Sequence, residues 1–279
     1  MENILLRTHN ISKKYNRKDV LKNITLSVER GESIAFVGAN GCGKSTILRI
    51  LARLIKPSGG TLAETAGLKS AFIPDHFEKS GLSIKQFMKY ILQAEGRMDL
   101  ECKLQDYYDI YHLHSMVDTP MKYLSKGSLQ KIAVIQALLF DTDLLFMDEP
   151  LSGQDMTSKL HFIEQLSEKK SKGTSIMMAC HEKELVEEAA DTIYLIEDGC
   201  LEDGSDYFMN FGKSYGSFLL HGEDWSLIEN LHSKNFFTAM NIVGKKCRLT
   251  LPLEKSSEFM TICIQKNIHI LKYEEENEL

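Results

Sequence analysis

The chain begins with apolar and polar positions that alternate as they do in half-buried strands. This pattern covers Ile4–Ser12 and Val20–Glu29, on either side of a polar loop that holds Tyr15. Farther along, short continuous apolar runs are separated by stretches with helical spacing; the runs are Ser33–Val37, Ser70–Ile73, Leu144–Met147, Ser175–Ala179 and Thr192–Ile196. Continuous runs are typical of strands buried on both faces. The pattern predicts an α/β fold with a largely parallel sheet and an N-terminal antiparallel β layer.

Two changes in this pattern predict a domain organisation. Between Gly81 and Tyr123 the apolar spacing becomes helical, which predicts a helical subdomain over about residues 81–135. After Asp203 the chain predicts a strand, a helix, two strands, a helix and a strand, at Ser217–His221, Trp225–Lys234, Met240–Pro252 about Gly244, Glu254–Lys266 and Ile268–Lys272. We therefore expect a main domain over residues 1–203 and a small α+β domain over residues 204–279.

Composition narrows the classes of function. The 279 residues carry a net charge of −6, which gives no overall attraction to nucleic acid, so we expect no nucleic-acid partner. The six cysteines form no C-x-x-C pair, which argues against a zinc site or a disulfide framework and favours reduced thiols. No apolar run approaches the ~18 to 20 residues that cross a bilayer. Any membrane role must then come from a partner.

A glycine-rich segment between a predicted strand and the predicted helix Thr46–Ile55 fits the pattern G-x-x-x-x-G-K-[ST] of phosphate-binding loops. Its residues are candidates for binding ATP: Gly38, Asn40, Gly41, Cys42, Gly43, Lys44, Ser45 and Thr46. Lys44 is expected to reach the β and γ phosphates, and the Ser45 hydroxyl to hold Mg²⁺. The alternatives are an ordinary glycine-rich turn and, for Cys42, a small filler or a redox-sensitive thiol beside Lys44.

Two acids follow the apolar run Leu144–Met147. Acids after a strand are often only a solvated turn. Coupled to the phosphate loop, however, they match a Walker B site, in which Asp148 is expected to face Mg²⁺ through water and Glu149 to polarise the attacking water as general base.

Three further segments stand in order along the chain: LSKGS at residues 124–128, about 20 residues before the acidic pair, LSGQD at residues 151–155, and His181 after the strand Ser175–Ala179. Together with the phosphate loop and the acidic pair, they resemble the motifs of one family, the ATP-binding cassettes of ABC transporters. In that family they look like the signature motif, the D-loop and the H-loop. Tyr15 matches the aromatic residue that stacks on adenine, although a loop tyrosine can also simply cover apolar surface. The resemblance spans roughly residues 4 to 203.

The resemblance implies a homodimer or heterodimer of ATPase subunits at the cytoplasmic face of the cell membrane, bound to transmembrane permease subunits. In that arrangement Ser125 and the Gly127 amide contact the γ-phosphate of the ATP held by the other cassette. His181 would hydrogen-bond the γ-phosphate of the ATP in its own cassette and hold the geometry that activates the water, although a lone histidine is usually structural. Asp155 would carry a signal across the dimer.

The sequence also departs from the family's pattern. Lys126 and Ser128 stand where the common signature has Gly and Gln, which implies a weaker contact with the opposite nucleotide. Asp75, after the strand Ser70–Ile73, stands where the family has the Gln of the Q-loop. If it occupies that position, its carboxylate should lie near Mg²⁺ and offer that ion an oxygen, and its added charge should alter metal binding.

The C-terminal pattern looks like the accessory domain of cassettes in the drug, peptide and polysaccharide exporter branch. It therefore favours an exporter over an importer. A subunit that binds ATP with little turnover is an alternative that Asp75 and the altered signature motivate. A soluble cassette protein acting on ribosomes or DNA is a second alternative, against which stand the single cassette and the absence of long heptad repeats in the sequence.

Overall fold

A computed structural model describes residues 3–16, 18–207, 214–222, 225–233, 236–237, 239–252, 255–266 and 268–277. The chain divides into two compact units, Met1–Ser205 and Asp206–Leu279. Within the parts of the chain that the structure covers, no helix is both long enough and apolar enough to span a membrane.

The first unit alternates strands and helices. Its strands are β1 (Ile4–Tyr15), β2 (Lys18–Ile24), β3 (Ser27–Glu29), β4 (Ser33–Val37), β5 (Gly59–Glu64), β6 (Ser70–Ile73), β7 (Leu144–Asp148), β8 (Ser175–Ala179), β9 (Thr192–Glu197) and β10 (Cys200–Asp203). Its helices are α1 (Lys44–Leu51), α2 (Ile84–Ala94), α3 (Glu101–Ile110), α4 (Lys126–Leu139), α5 (Met156–Ser171) and α6 (Lys183–Ala189).

The central sheet has the strand order β10-β9-β4-β8-β7-β6. All neighbouring pairs from β9 to β6 are parallel, and only β10 runs antiparallel at the edge. Every residue of β4, β7 and β8 is buried, because helices cover strands of a parallel sheet on both faces. The predicted α/β fold with a largely parallel sheet is confirmed.

An antiparallel layer precedes this sheet, with β1 pairing with β2, β3 and β5. The single strand predicted over Val20–Glu29 is wrong, since it is two strands. The Thr8 hydroxyl accepts a hydrogen bond from Leu26 N at 2.9 Å, which replaces the regular ladder at the break. Tyr15 ends β1 and does not lie in a loop. The sequence missed β5, because only Leu62 among its six residues is even partly buried.

Helices α2 and α3, with short 3-10 turns at Met98–Leu100, His114–Met116 and Met121–Tyr123, fill the segment that precedes α4. Ser83 begins α2 with a capping box, in which its hydroxyl accepts from Gln86 N and the Gln86 side chain accepts from Ser83 N. Helix α1 begins two residues before its predicted start and ends at Leu51, close to Arg53, whose φ is 58°.

In its described residues, the second unit consists of a four-stranded antiparallel sheet and two helices. Its elements are β11 (Ser214–His221), α7 (Ser226–Ser233), β12 (Ala239–Val243), β13 (Lys246–Pro252), α8 (Ser256–Gln265) and β14 (His269–Asn277). The spatial order β12-β13-β11-β14 with this chain order is the ferredoxin-like arrangement. Phe218, Leu249 and Phe259 lie in its separate apolar core. The predicted α+β pattern is confirmed, although Lys234 and Glu254 lie outside the described residues.

Candidate functional site

The candidate site lies where parallel strands end side by side. The strands β4, β8, β7 and β6 are consecutive neighbours in the sheet, so their carboxyl ends meet at one edge. The residues that follow those ends are the phosphate loop after β4, His181 after β8, Asp148 and Glu149 at the end of β7, and Asp75 after β6. The fold thus brings together residues that are more than 140 positions apart in the sequence.

The phosphate loop is shaped by glycines with positive φ, which are 136° at Gly38, 79° at Gly41 and 122° at Gly43. A Cβ on Gly43 would lie 2.9 Å from Leu21 Cδ2, so a side chain there would also clash. The buried Lys44 ammonium donates to the carbonyl oxygens of Gly38 at 2.7 Å and Ala39 at 3.2 Å. The loop therefore places the Lys44 ammonium at the N-terminus of α1, and both features favour the binding of an anion there.

The Ser45–Asp148 pair joins the loop to β7. Asp148 is fully buried, and the Ser45 hydroxyl donates to its Oδ1 at 2.7 Å. Burial raises the pKa of Asp148, and the nearby carboxylate of Asp75 acts in the same direction, whereas Ser45 and Arg49 oppose the shift. A hydroxyl and a carboxylate are hard oxygen ligands of the kind that Mg²⁺ prefers, so this pair fits that ion.

Glu149 and His181 form the second part of the site. Glu149 has a φ of 49°, an uncommon conformation for a non-glycine residue, and its backbone N–H donates to Ala179 at the end of β8. Its Oε2 lies 2.9 Å from His181 Nδ1, while the His181 side chain is 61% exposed. Burial raises the pKa of Glu149 and the His181 contact partly offsets that rise. A carboxyl group with a raised pKa is suited to proton transfer.

Asp75 lies near Asp148, and its carboxylate is paired with an arginine. Arg49 Nη2 donates to Asp75 Oδ1 at 3.1 Å and to Asp148 Oδ2 at 3.2 Å. Sequence reasoning missed Arg49. A signal was present, since Arg49 follows Ser45 by four residues and the two therefore share a face of α1.

The LSKGS segment forms the start of α4. Ser125 is the N-cap, and its hydroxyl accepts from Ser128 N at 3.1 Å. Lys126 Nζ donates to Ser152 Oγ at 2.9 Å. A Cβ on Gly127 would collide with the carbonyl oxygen of Gly153, so this close contact between the two loops requires glycine at 127. Ser125 and Lys126 are exposed.

Asp155 is the N-cap of α5, a contact within its own chain. Its carboxylate accepts from Ser158 N at 2.9 Å and pairs with Lys131 Nζ at 2.7 Å, and these contacts hold its pKa well below the usual range. Lys131 also donates to Tyr111 O at 3.2 Å, and Gln130 Nε2 donates to Pro74 O at 2.8 Å. Sequence reasoning assigned no contact to Gln130 or Lys131.

The remaining candidates surround the loop or lie apart from it. Asn40 and Gly41 are exposed at the loop tip, Cys42 packs against the apolar core, and Thr46 is half-buried in the first turn of α1. Tyr15, at the end of β1, is 46% exposed, and Lys13 Nζ lies 5.0 Å from the centroid of its ring.

Comparison with known proteins gives consistent matches. A family model described as ABC transporter matches residues 21–152. The zinc import ATP-binding protein ZnuC of Hydrogenovibrio crunogenus is 30% identical over 65% of this chain and 74% of its own length. The SkfA peptide export ATP-binding protein SkfE of Bacillus subtilis is 30% identical over 71% of this chain and 87% of its own length.

A third relative, the uncharacterized ABC transporter ATP-binding protein YcbN of Bacillus subtilis, is 32% identical over 71% of this chain and 68% of its own length. Among solved structures, an ATP-binding subunit of an ABC transporter matches with a TM-score of 0.64 and 26% identity, covering 71% of this chain and 88% of that one. A dimeric ATP-binding cassette bound to ADP and phosphate matches with a TM-score of 0.62, but its 20% identity supports the fold alone.

Proposed function

Because this chain belongs to the ABC transporter ATP-binding proteins, we propose that it binds ATP with Mg²⁺ and hydrolyses it to drive a separate membrane permease. The observation that carries the proposal is the convergence, at one sheet edge, of the Lys44 loop, the Ser45–Asp148 pair and the Glu149–His181 pair. Each pair supplies one part of a phosphoryl-transfer site.

Nucleotide binding uses the loop and α1. When ATP binds, Lys44 gives up its hydrogen bonds to the loop carbonyl oxygens and donates instead to oxygens of the β and γ phosphates. The backbone N–H groups at residues 38–46 donate to the same phosphate oxygens. Ser45 and Asp148 hold Mg²⁺, which neutralises phosphate charge when bound. The exposed ring of Tyr15 stacks on adenine.

Hydrolysis uses Glu149 and His181. Glu149, partly desolvated, accepts a proton from the attacking water as general base. His181, held beside Glu149 at 2.9 Å and exposed, hydrogen-bonds the γ-phosphate and orients that carboxylate. The left-handed backbone at Glu149 fixes the direction of its side chain, a strained conformation of the kind found at functional sites.

The site is completed by a second cassette. Ser125 and the amide of Gly127 lie at the exposed N-terminus of α4, where backbone N–H groups favour a phosphate. They contact the γ-phosphate held by the partner cassette, and Asp155 joins the two halves. Whether the partner cassette is a second copy or a related chain leaves this chemistry unchanged.

The proposal is tested by phosphate release from purified protein with Mg-ATP over a range of protein concentrations. Turnover that rises more than linearly with protein concentration supports a dimeric ATPase. Nucleotide binding without phosphate release at high concentration would instead support the binding-only alternative, which Asp75 at the Q-loop position and the altered signature motivate.

The proposed direction of transport is export, at the cytoplasmic face of the cell membrane. It is supported by the pattern of the C-terminal α+β unit. Relatives named for zinc import and for peptide export match at the same identity, so they favour neither direction. The test is purification of the tagged chain with its permease, followed by reconstitution with ATP on the cassette side. Cargo moving away from the cassette side supports export, and cargo moving toward it contradicts export.

A further inference from the structure

One guanidinium nitrogen, Arg49 Nη2, is shared by two carboxylates of the site. It lies 3.2 Å from Asp148 Oδ2 and 3.1 Å from Asp75 Oδ1. Asp148 is fully buried and its other oxygen accepts from Ser45. In this state the protein's own cation neutralises the carboxylate that the proposed function assigns to Mg²⁺.

A guanidinium in this position opposes a divalent cation. Two cations that share Asp148 repel each other, so Arg49 must withdraw from Asp148 Oδ2 when that carboxylate turns toward Mg²⁺. Asp75 offers the same nitrogen a second acceptor of full negative charge, so Arg49 can withdraw without becoming unpaired. A glutamine at residue 75 would offer an acceptor oxygen but no compensating charge.

We propose that Asp75 is a positioning residue: it holds Arg49 away from Asp148 and compensates its charge while Asp148 serves the metal. The proposal rests on the function proposed above and adds a role for a pair that the sequence comparison did not assign. It also revises the expectation that Asp75 offers an oxygen directly to Mg²⁺. Asp75 also lies near His76, whose Nε2 is 3.8 Å from Asp75 Oδ2.

The direct-ligand role and the positioning role differ in their dependence on Arg49. A carboxylate that binds the metal directly is lost in Asp75→Asn whatever stands at residue 49. A carboxylate that compensates Arg49 becomes unnecessary once Arg49 is neutral. The double variant Arg49→Gln/Asp75→Asn therefore separates the two roles.

The experiment measures ADP binding to the full-length protein by titration calorimetry at stepped Mg²⁺ concentrations. ADP is used because it is not hydrolysed, so the measurement is independent of turnover. We expect Asp75→Asn to raise the Mg²⁺ concentration for half-maximal enhancement of ADP affinity by about threefold or more, a moderate factor because both partners are partly solvent-exposed. The double variant should return to within about twofold of wild type, and Asp75→Glu should stay near wild type.

Arg53→Gln is the matched control, because Arg53 pairs with Glu64 just beyond the same helix. It should leave the Mg²⁺ requirement unchanged, and thermal melting checks that each variant is folded. Recovery in the double variant supports the proposal. A double variant as impaired as Asp75→Asn, or an Asp75→Asn protein equal to wild type, overturns it. Wild-type protein without Mg²⁺-dependent nucleotide binding would instead contradict the proposed function itself.

Discussion

The phosphate-loop edge of the sheet and the start of α4 both carry groups that we propose to bind phosphate. They differ in how far those groups are already in contact with the rest of the chain. At the sheet edge, the main site groups already have contacts within the chain: Lys44 with loop carbonyls, Asp148 with Ser45 and Arg49, and Glu149 beside His181. At the start of α4, by contrast, Ser125 and Lys126 are exposed.

This difference indicates that one chain alone assembles only the half of the proposed site at the sheet edge. The parallel sheet collects strand ends from distant parts of the sequence, so it assembles the phosphate loop and both acids without help. The α4 start has its own support, the N-cap and the Gly127–Gly153 contact, yet that support fixes only its shape. Its proposed phosphate must come from another cassette.

The largest expected effect separates the two regions by nucleotide affinity. Lys44→Ala removes the cation of the loop, and we expect ATP affinity to fall by about 100-fold and turnover to vanish, since a hydrogen bond to a charged group is strong. Lys126→Ala removes a cation from the α4 start and should leave the affinity of the isolated chain unchanged. Titration calorimetry compares them. Equal losses of ATP affinity in both variants would contradict the assignment of nucleotide binding in one chain to the phosphate loop.

The next effect concerns the reaction at the sheet edge. Glu149→Gln cannot accept a proton, so phosphate release should fall by about 100-fold or more while Mg-ATP still binds. The control is Glu182→Gln, since a carboxylate oxygen of Glu182 lies within 4.8 Å of a carboxylate oxygen of Glu149 and of a ring nitrogen of His181. This variant should have a much smaller effect. Similar losses in the two variants would point to the general charge of the cluster rather than to one base.

A smaller effect tests whether Ser125 does more than cap a helix. Ser125→Ala and Ser83→Ala each remove an N-cap hydroxyl, so each should lower the free energy of unfolding by about 1 kcal/mol. Only Ser125→Ala should reduce phosphate release, by about tenfold for one lost phosphate hydrogen bond. Chemical denaturation and an ATPase assay measure the two effects. Equal ATPase rates would leave Ser125 with a structural role only.

The smallest effect concerns stability beside the α4 start. Asp155→Asn keeps an N-capping side chain but loses the charge opposite the buried Lys131, so we expect about 1 kcal/mol or less of lost stability at pH 7. Because the pKa of Asp155 is lowered in the folded state, its stabilisation is present above the unfolded pKa near 4 and is lost as the pH falls further.

The difference in unfolding free energy between wild type and Asp155→Asn should therefore shrink below about pH 4. Denaturation curves at several pH values measure it. A difference that stays constant down to pH 2 would assign the loss to the cap rather than to the charge.

Features that depend on residues close together in the sequence could be predicted, whereas features that depend on contacts between distant residues could not. The phosphate loop and the acidic strand end are local patterns, so their elements were predicted closely. The bounds of β4, β6 and β8 agree with the sequence, because continuous apolar runs mark buried strands; β4 and β8 are fully buried, whereas only Ile73 of β6 is. The prediction over Val20–Glu29 was wrong at the break between β2 and β3, where Leu26 N donates to the hydroxyl of Thr8, a residue distant in the sequence.

The missed parts of the site are tertiary contacts. Arg49 meets Asp75 and Asp148, Gln130 meets the Pro74 carbonyl, and Lys131 meets Asp155. Charged and polar residues on helices are usually solvated, so their type does not identify a partner on another element. The four-residue spacing places Arg49 on the same face of α1 as Ser45, but it does not identify the two acids that Arg49 contacts. The sequence likewise indicated an unusual residue at position 75 but not the arginine that balances it.

The most direct test of the account is sedimentation velocity of Glu149→Gln with Mg-ATP. The variant retains the Lys44 loop and Ser125 but is expected to hydrolyse slowly, so it should hold ATP between two cassettes. The account predicts a monomer without nucleotide, a dimer at saturating Mg-ATP, and a return to monomer when Ser125→Ala and Lys126→Ala are added. Monomers only, with nucleotide demonstrably bound, would contradict the account that the exposed start of α4 completes the site of a partner cassette.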